Sequence, residues 1–307
     1  MKRAAVIGLG SMGANHARVY SQLNGVELVG CSDVNSNSKF LDYPFYTDYK
    51  EMLKKESPDF VSICVPTTLH KTVATYSLSQ GINTLVEKPI ADSEKNAKAI
   101  INAAKKSGAK LAVGHIERFN PVISALKKFL FSNGAKIFSI NIERVGPIPP
   151  RIKDVGVVLD LGTHDIDLIS FLTKQKISSV YCTTNTYSNP SKHEDSAHIN
   201  LTLSSGISAT ITTNWLTPYK QRKIEVITDK NVVQGDLKEQ KLFEFSKSSN
   251  SQDIKEIPVE KSEPLALELQ AFVNNSSTAT GEEGLYALKI AQLCLKSAKG
   301  KKVMLVK

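Results

Sequence analysis

Up to about residue 118, short apolar runs alternate with stretches whose apolar positions recur every three or four residues. The runs are AAVIG (4–8), VELVGCS (26–32), FVSICV (60–65), NTLVE (83–87) and KLAVG (110–114), with helical patterns over 13–23, 47–55, 68–80 and 93–107. Parallel strands need a crossover and the helices supply it, so this stretch predicts a doubly wound parallel sheet. Beyond Pro121 the texture changes to a helix (121–131), a strand (136–144), the Pro-rich loop GPIPPR (146–151) and a helix over 161–173. Alternating segments follow at 177–187, 196–203, 207–214, 222–228 and 231–234. The turn LSSGIS (203–208) joins two of them as a hairpin, which predicts a large, mostly antiparallel open sheet. In the hairpin strand, Ile207, Ala209 and Ile211 fall on one face and Thr210 and Thr212 on the other. The polar segment 246–264 reads as a solvated loop with a weak edge strand, and 264–275 and 282–298 as closing helices. The expected organisation is an α/β domain over 1–120 and an α+β domain over 121–307.

The chain has 307 residues, which fits two domains, and 41% hydrophobic with 22% charged residues is ordinary for a packed protein. No apolar run approaches the ~18–20 residues of a membrane span, and the N-terminus reads as a strand and glycine turn rather than a signal peptide, so a cytoplasmic location is expected. Cys31, Cys64, Cys182 and Cys294 are scattered, without CxxC or zinc-like spacing, and His115-Ile116-Glu117 has no P-C-x-x-C partner, so no metal is expected. A net charge of +9 biases the surface toward anionic partners, but the lysines are spread along the chain. The densest group (Lys296, Lys299, Lys301, Lys302) ends a predicted helix, where cations answer the macrodipole, so nucleic acid is not the expected partner.

Gly8-Leu9-Gly10-Ser11-Met12-Gly13 follows the first strand and opens a helix, and Asp33 ends the next strand. Gly8 permits the tight turn, Gly10 lets a pyrophosphate approach the backbone, and Gly13 allows close helix–strand packing. The helix N-terminus faces the phosphates while the Asp33 carboxylate accepts the adenosine ribose hydroxyls. This is the fingerprint of a Rossmann dinucleotide site. Val34, Asn35 and Ser36 follow Asp33 in place of an arginine, which favours NAD over NADP, and Lys39 reads as a solvated helix-end charge. Pro66, Thr67 and His70 at the end of the 60–65 strand, and Glu87 and Lys88 at the end of the 83–87 strand, are expected along the same cofactor-facing edge.

The glycine turn, the VPTTLH segment (65–70), Glu87-Lys88-Pro89 and Asp160-Leu161-Gly162-Thr163-His164 together resemble the Gfo/Idh/MocA oxidoreductases, and the similarity runs through essentially the whole chain. The resemblance implies a nicotinamide-dependent dehydrogenase acting on a ring hydroxyl, with Lys88, Asp160 and His164 at the reaction centre. The chemistry asks for such residues independently: a histidine serves as base near neutral pH, and a lysine stabilises a developing alkoxide. Asp160 and His164 are spaced i, i+4, so a helix would bring them to one face. Asp165 and Asp167 read as acids favouring the positive end of that helix.

Substrate contacts are expected from the segment that crosses between the domains (His115, Arg118, Asn120) and from the Pro-rich loop (Arg144, Arg151), whose arginines suit an anion. The stretch through Asp167 is similar to the branch of the family that oxidises the 3-hydroxyl of UDP-N-acetylglucosamine to a ketone, which implies a UDP-sugar substrate. The resemblance also implies a homo-oligomer formed through the second-domain sheet. A dehydrogenase of a free sugar or inositol, and a non-catalytic NAD-binding sensor, remain alternatives at this point.

Overall fold

The computed structural model describes residues 1–35, 42–132, 134–149, 155–188, 193–247 and 252–306. The chain divides into two compact units, Met1–Ile116 with Glu263–Leu288, and Glu117–Ser262 with Lys289–Lys307. The first unit therefore takes back a late segment, which a division at 120/121 in linear order does not anticipate.

In unit 1, strands β1 (Lys2–Ile7), β2 (Val26–Ser32), β3 (Phe45–Tyr46), β4 (Phe60–Ile63), β5 (Asn83–Glu87) and β6 (Leu111–Gly114) are joined by helices α1 (Ser11–Gln22), α2 (Tyr49–Glu56), α3 (His70–Ser79) and α4 (Glu94–Ser107). The sheet order is β3-β2-β1-β4-β5-β6, all parallel, with a short antiparallel strand at Ala279–Thr280 on the β6 edge. The order reverses between β1 and β4, which makes the carboxyl ends of those strands the switch point where dinucleotides bind. β1 is apolar on both faces because helices cover both, and Ala4, Ala5 and Val6 are fully buried. The return segment supplies the helix Pro264–Val273, whose Leu265, Leu269 and Phe272 join Val6, Tyr20 and Leu28 in the core. Each such side chain contributes ~1.5–3 kcal/mol on burial, which is why a segment so late in sequence packs here. Phe272 meets Phe60 edge-on at 5.4 Å, and Arg18 pairs with Glu263 at the start of the same helix.

In unit 2, helix α5 (Pro121–Ser132) is followed by β7 (Ile137–Pro147), a π-helical turn (Val158–Gly162) that runs into α6 (Thr163–Thr173), and strands β8 (Ile177–Asn185), β9 (Ser196–Leu203), β10 (Ser208–Asn214), β11 (Leu216–Thr228), β12 (Val232–Asp236), β13 (Lys241–Lys247) and β14 (Gln252–Ile257). These eight strands and the C-terminal strand Met304–Leu305 form a nine-stranded sheet, antiparallel except for the pairing of β10 with β7. That one pair is parallel because α6 and the β8–β9 hairpin form a crossover between its members. Ala209 and Ile211 point into the core and Thr210 is exposed, as the alternation predicts. The outer face carries a polar ladder: Thr210 Oγ1 donates to Asn141 Oδ1 at 2.7 Å, Asn141 Nδ2 to Glu225 Oε1 at 3.0 Å, and Gln234 Nε2 to Glu225 Oε2 at 2.7 Å. The weak edge strand expected within 246–264 is β14, whereas β13 was not anticipated and β7 extends into the start of the Pro-rich segment. Among the described residues, no helix is long and apolar enough to cross a membrane.

Candidate active site

The glycine turn of unit 1 shows three different uses of a missing Cβ. Gly8 has φ +88°, and a Cβ there would come within 2.8 Å of Cys64 C and Val65 N, so this position needs both a left-handed backbone and the close approach of β1 to β4. A Cβ at Gly13 would lie 1.7 Å from Gly8 O, because α1 starts hard against the turn. At Gly10 a Cβ would meet nothing within 4 Å: the space there is open. Gly10 is the N-cap of α1, and among the described residues no side chain caps this helix end and no acid sits in its first turn. Asp33, just past β2, is turned toward the same loop, its Oδ2 accepting Leu9 N–H at 2.6 Å and its Oδ1 accepting Asn35 N–H at 2.9 Å. Open space over uncapped N–H groups beside an oriented carboxylate fits a dinucleotide pyrophosphate and ribose. Gly8, Gly10, Ser11, Met12, Gly13 and Asp33 are therefore brought together at this turn. Lys39 lies outside the described residues.

Pro66 and Thr67 lead from β4 into a 3-10 turn (Thr67–Leu69), and Lys88, half-buried, follows β5. All three lie past the carboxyl ends of their strands, the edge that the switch point defines. His70 and Glu87, expected along the same edge, are both engaged by neighbouring groups of unit 1. His70 is buried, with Nδ1 2.9 Å from Pro89 O and Nε2 3.0 Å from Val65 O. Burial lowers its pKa more than the facing carbonyls of Val65 and Pro89 raise it. Glu87 is buried too, its Oε1 3.0 Å from His16 Nε2 and its Oε2 accepting Lys88 N–H at 3.2 Å. Burial pushes Glu87 up, but the hydrogen bond and charge of His16 and the charge of Lys88 outweigh it, leaving the carboxyl below its usual range. His16 was missed in the sequence. Its only signal was a polar residue on the apolar face of α1.

In unit 2, Asp160 lies in the π turn and His164 in the first turn of α6. Thr163 N–H bonds to Val158 O, five residues back, and Asp160 N–H to Gly156 O at 3.0 Å. A π turn inside a helix is uncommon and favours functional positions, and no periodicity in the sequence announces it. Glu194 fixes the start of this segment: its Oε1 accepts Val158 N–H at 3.2 Å, its backbone carbonyl accepts Val157 N–H at 2.9 Å, and Gly156 leaves room for it, since a Cβ there would fall 2.2 Å from Oε1. Asp160 is nearly buried at 9% exposure, and His164 is half-buried.

Of the residues expected to contact substrate, Arg144, Arg118 and Asn120 are each engaged by other groups of unit 2. Arg144 Nε lies 2.8 and 3.0 Å from the two Asp165 oxygens and Nη1 donates to Glu117. Burial opposes its charge, but Asp165 and Glu117 more than offset this and raise its pKa. Arg118 forms a bidentate pair with Asp167 at 2.7 and 2.6 Å, stacked on Phe171. Asp165 and Asp167, read as helix-end acids, are thus the buried counter-ions of these arginines. Asn120 Nδ2 donates to Leu237 O at 2.9 Å and its Oδ1 accepts Val122 N–H at 3.1 Å, capping α5. His115 is buried, with its backbone N–H turned onto Val113 O at 2.7 Å. Arg151 lies outside the described residues. Arg222, not anticipated, pairs opposite Arg144 in the β11–β7 ladder and donates Nη1 to Val145 O at 2.7 Å. Among the described residues, no group of three or more His, Cys, Asp or Glu is placed to hold a metal.

An open sheet with a phosphate-ready glycine turn at its switch point, followed by an α+β unit, defines a dinucleotide-dependent oxidoreductase class. Residues 2–115 match the oxidoreductase family GFO_IDH_MocA with its NAD-binding Rossmann fold, and residues 139–234 match the GFO/IDH/MocA C-terminal domain; the chain belongs to this family. It is 34% identical over 176 residues to a UDP-N-acetylglucosamine 3-dehydrogenase of Acidithiobacillus ferrooxidans, a match covering 56% of this chain and 54% of that protein. It is 28% identical to scyllo-inositol 2-dehydrogenase (NAD(+)) of Bacillus subtilis, over 90% of this chain and 87% of that one. A solved structure of the Acidithiobacillus ferrooxidans enzyme superposes with a TM-score of 0.88 at 25% identity, covering 97% of this chain and 98% of that chain.

Proposed function

We propose that this chain is an NAD-dependent dehydrogenase that oxidises a ring secondary hydroxyl of a sugar nucleotide, the 3-hydroxyl of UDP-N-acetylglucosamine, to the 3-keto sugar. The observation that carries the dehydrogenase reading is the open Gly10 position over the uncapped start of α1 beside Asp33. The 34% identity to the Acidithiobacillus ferrooxidans enzyme supports the substrate. When bound, NAD accepts a hydride from the alcohol carbon. The remaining proton leaves the hydroxyl for His164, Lys88 stabilises the developing alkoxide as a cation, and Asp160 orients the ring or the substrate. Asp33 accepts the ribose hydroxyls and repels a 2′-phosphate, so NAD binds more tightly than NADP and Asp33→Ala narrows the gap.

A second reading, oxidation of a free inositol, is supported by the match to the Bacillus subtilis enzyme along 90% of the chain. Turnover of NAD with UDP-N-acetylglucosamine beside scyllo-inositol and free N-acetylglucosamine separates the two, and turnover of the cyclitol alone refutes the sugar-nucleotide proposal. His164→Ala lowers turnover by roughly 10²–10⁴ and removes the imidazole limb of the pH profile, with NAD affinity retained. A wild-type rate in that variant places the base elsewhere. The outer sheet face is proposed as the homo-oligomer surface, and sedimentation showing only a 33.6 kDa species at micromolar concentration contradicts it.

A further inference from the structure

We propose that His16 and His70 are positioning residues for Lys88, His16 through the carboxylate of Glu87 before it and His70 through the carbonyl of Pro89 after it. The inference rests on the reading of Lys88 as a group at the reaction centre. Before Lys88, both Glu87 oxygens are engaged, Oε1 by His16 Nε2 at 3.0 Å and Oε2 by the Lys88 N–H at 3.2 Å. Gly114, opposite Glu87 in the β5–β6 ladder, makes room for this carboxylate, since a Cβ there would come within 2.9 Å of Oε1. After Lys88, the Pro89 carbonyl faces His70 Nδ1 at 2.9 Å, and the other nitrogen of that ring faces Val65 O at 3.0 Å. One imidazole thus stands between the ends of β4 and β5, and in its neutral form its single N–H donates to one of the two carbonyls.

Packing alone does not call for these groups. His16 is fully buried on the face of α1 that carries Ala17, Val19 and Tyr20, where an aliphatic side chain would avoid the cost of burying an imidazole against a carboxylate. What the polar pair adds is direction. A lysine ammonium hangs from Cα on four rotatable bonds, so any displacement of the backbone at Lys88 adds to the side chain's own freedom, and an error near 1 Å at a reacting group costs about 10² in rate. Removing the grip should therefore act on the chemical step through Lys88, with little effect on the glycine turn that would hold NAD.

The test is a double-mutant cycle with Lys88→Met, read as NAD reduction by UDP-N-acetylglucosamine, or by scyllo-inositol if that is the alcohol turned over. His16→Ala should lower kcat by about 10- to 100-fold with the NAD dissociation constant within about threefold of wild type, and His16→Gln, which keeps a donor, should recover much of the loss. In the Lys88→Met background His16→Ala should cost nothing further in kcat. A second readout needs no turnover: in the cofactor-free protein, the rate at which an amine-specific reagent labels Lys88, followed by mass spectrometry, should change severalfold in His16→Ala while exposed Lys71 keeps its rate. If His16→Ala does not fold, His70→Leu, which removes the ring nitrogens that face Pro89 O and Val65 O, carries the same expectations through Pro89. Full multiplication of the two losses, or an unchanged Lys88 labelling rate, overturns the positioning role. Wild-type turnover in Lys88→Met alone instead overturns the reading of Lys88, and with it the ground for this inference.

Discussion

The glycine turn makes the sharpest demand on the cofactor assignment, because three glycines within six residues should respond to alanine in different ways. At Gly10 the backbone has φ −63°, ordinary for any residue, and the added methyl meets nothing within 4 Å, so folding should change by no more than about 1 kcal/mol. The same methyl stands ~1.5 Å out from Cα, in the direction a pyrophosphate would approach, and lifts it off the N–H groups of α1. Losing one charge-assisted hydrogen bond costs ~1.5–3 kcal/mol, so NAD should bind roughly 10- to 150-fold more weakly. At Gly13 the order is reversed. Its Cβ would lie 1.7 Å from Gly8 O, and relieving that overlap requires the turn itself to move, a loss of about 1–3 kcal/mol or more in stability. Urea midpoints and calorimetric NAD titrations of Gly10→Ala and Gly13→Ala give both quantities. Wild-type NAD affinity in a stable Gly10→Ala protein would refute the cradle, and a stable Gly13→Ala protein would refute the close contact between α1 and the turn.

Breaking the buried Arg144–Asp165 pair from one side, by Asp165→Leu, should destabilise the protein by ~3–5 kcal/mol because Arg144 keeps its charge without its main partner. Denaturant unfolding of the single variants and of Asp165→Leu with Arg144→Met should show strong non-additivity, and simple addition contradicts the pairing. Stability should also fall in acid. Glu87 has its folded pKa below the ordinary value, so its contribution is present at neutral pH and is lost as pH drops through the folded value. His70, lowered by burial, adds to the loss as pH falls below its ordinary ~6.5, because the unfolded chain then binds the proton more readily. Urea midpoints from neutral pH into the carboxylate range should show Glu87→Gln less stable than wild type at neutral pH, with the two converging in acid. Parallel curves refute the assignment.

Period-two and period-3.6 patterns are local, and they were enough to predict the parallel sheet of unit 1, the β9–β10 hairpin and the inward face of Ala209 and Ile211. The glycine turn and Asp33 were also readable, because a turn, a helix start and a strand end are set by neighbours in sequence. Partnerships across distance were not. Arg144 and Asp165 are 21 residues apart, Arg118 and Asp167 are 49 apart, and His16 and Glu87 are 71 apart. Read alone, the arginines and Glu87 look like groups for a ligand and the two aspartates like helix-end acids, while His16 shows only as a polar residue on an apolar face. Only the tertiary structure shows that a low-dielectric interior has matched them to one another, since a buried charge needs a counter-charge wherever the fold brings one. The same holds for the helix Pro264–Val273, whose apolar face specifies burial but not which unit provides it, and for the π turn under Asp160, whose extra residue leaves no mark on the pattern.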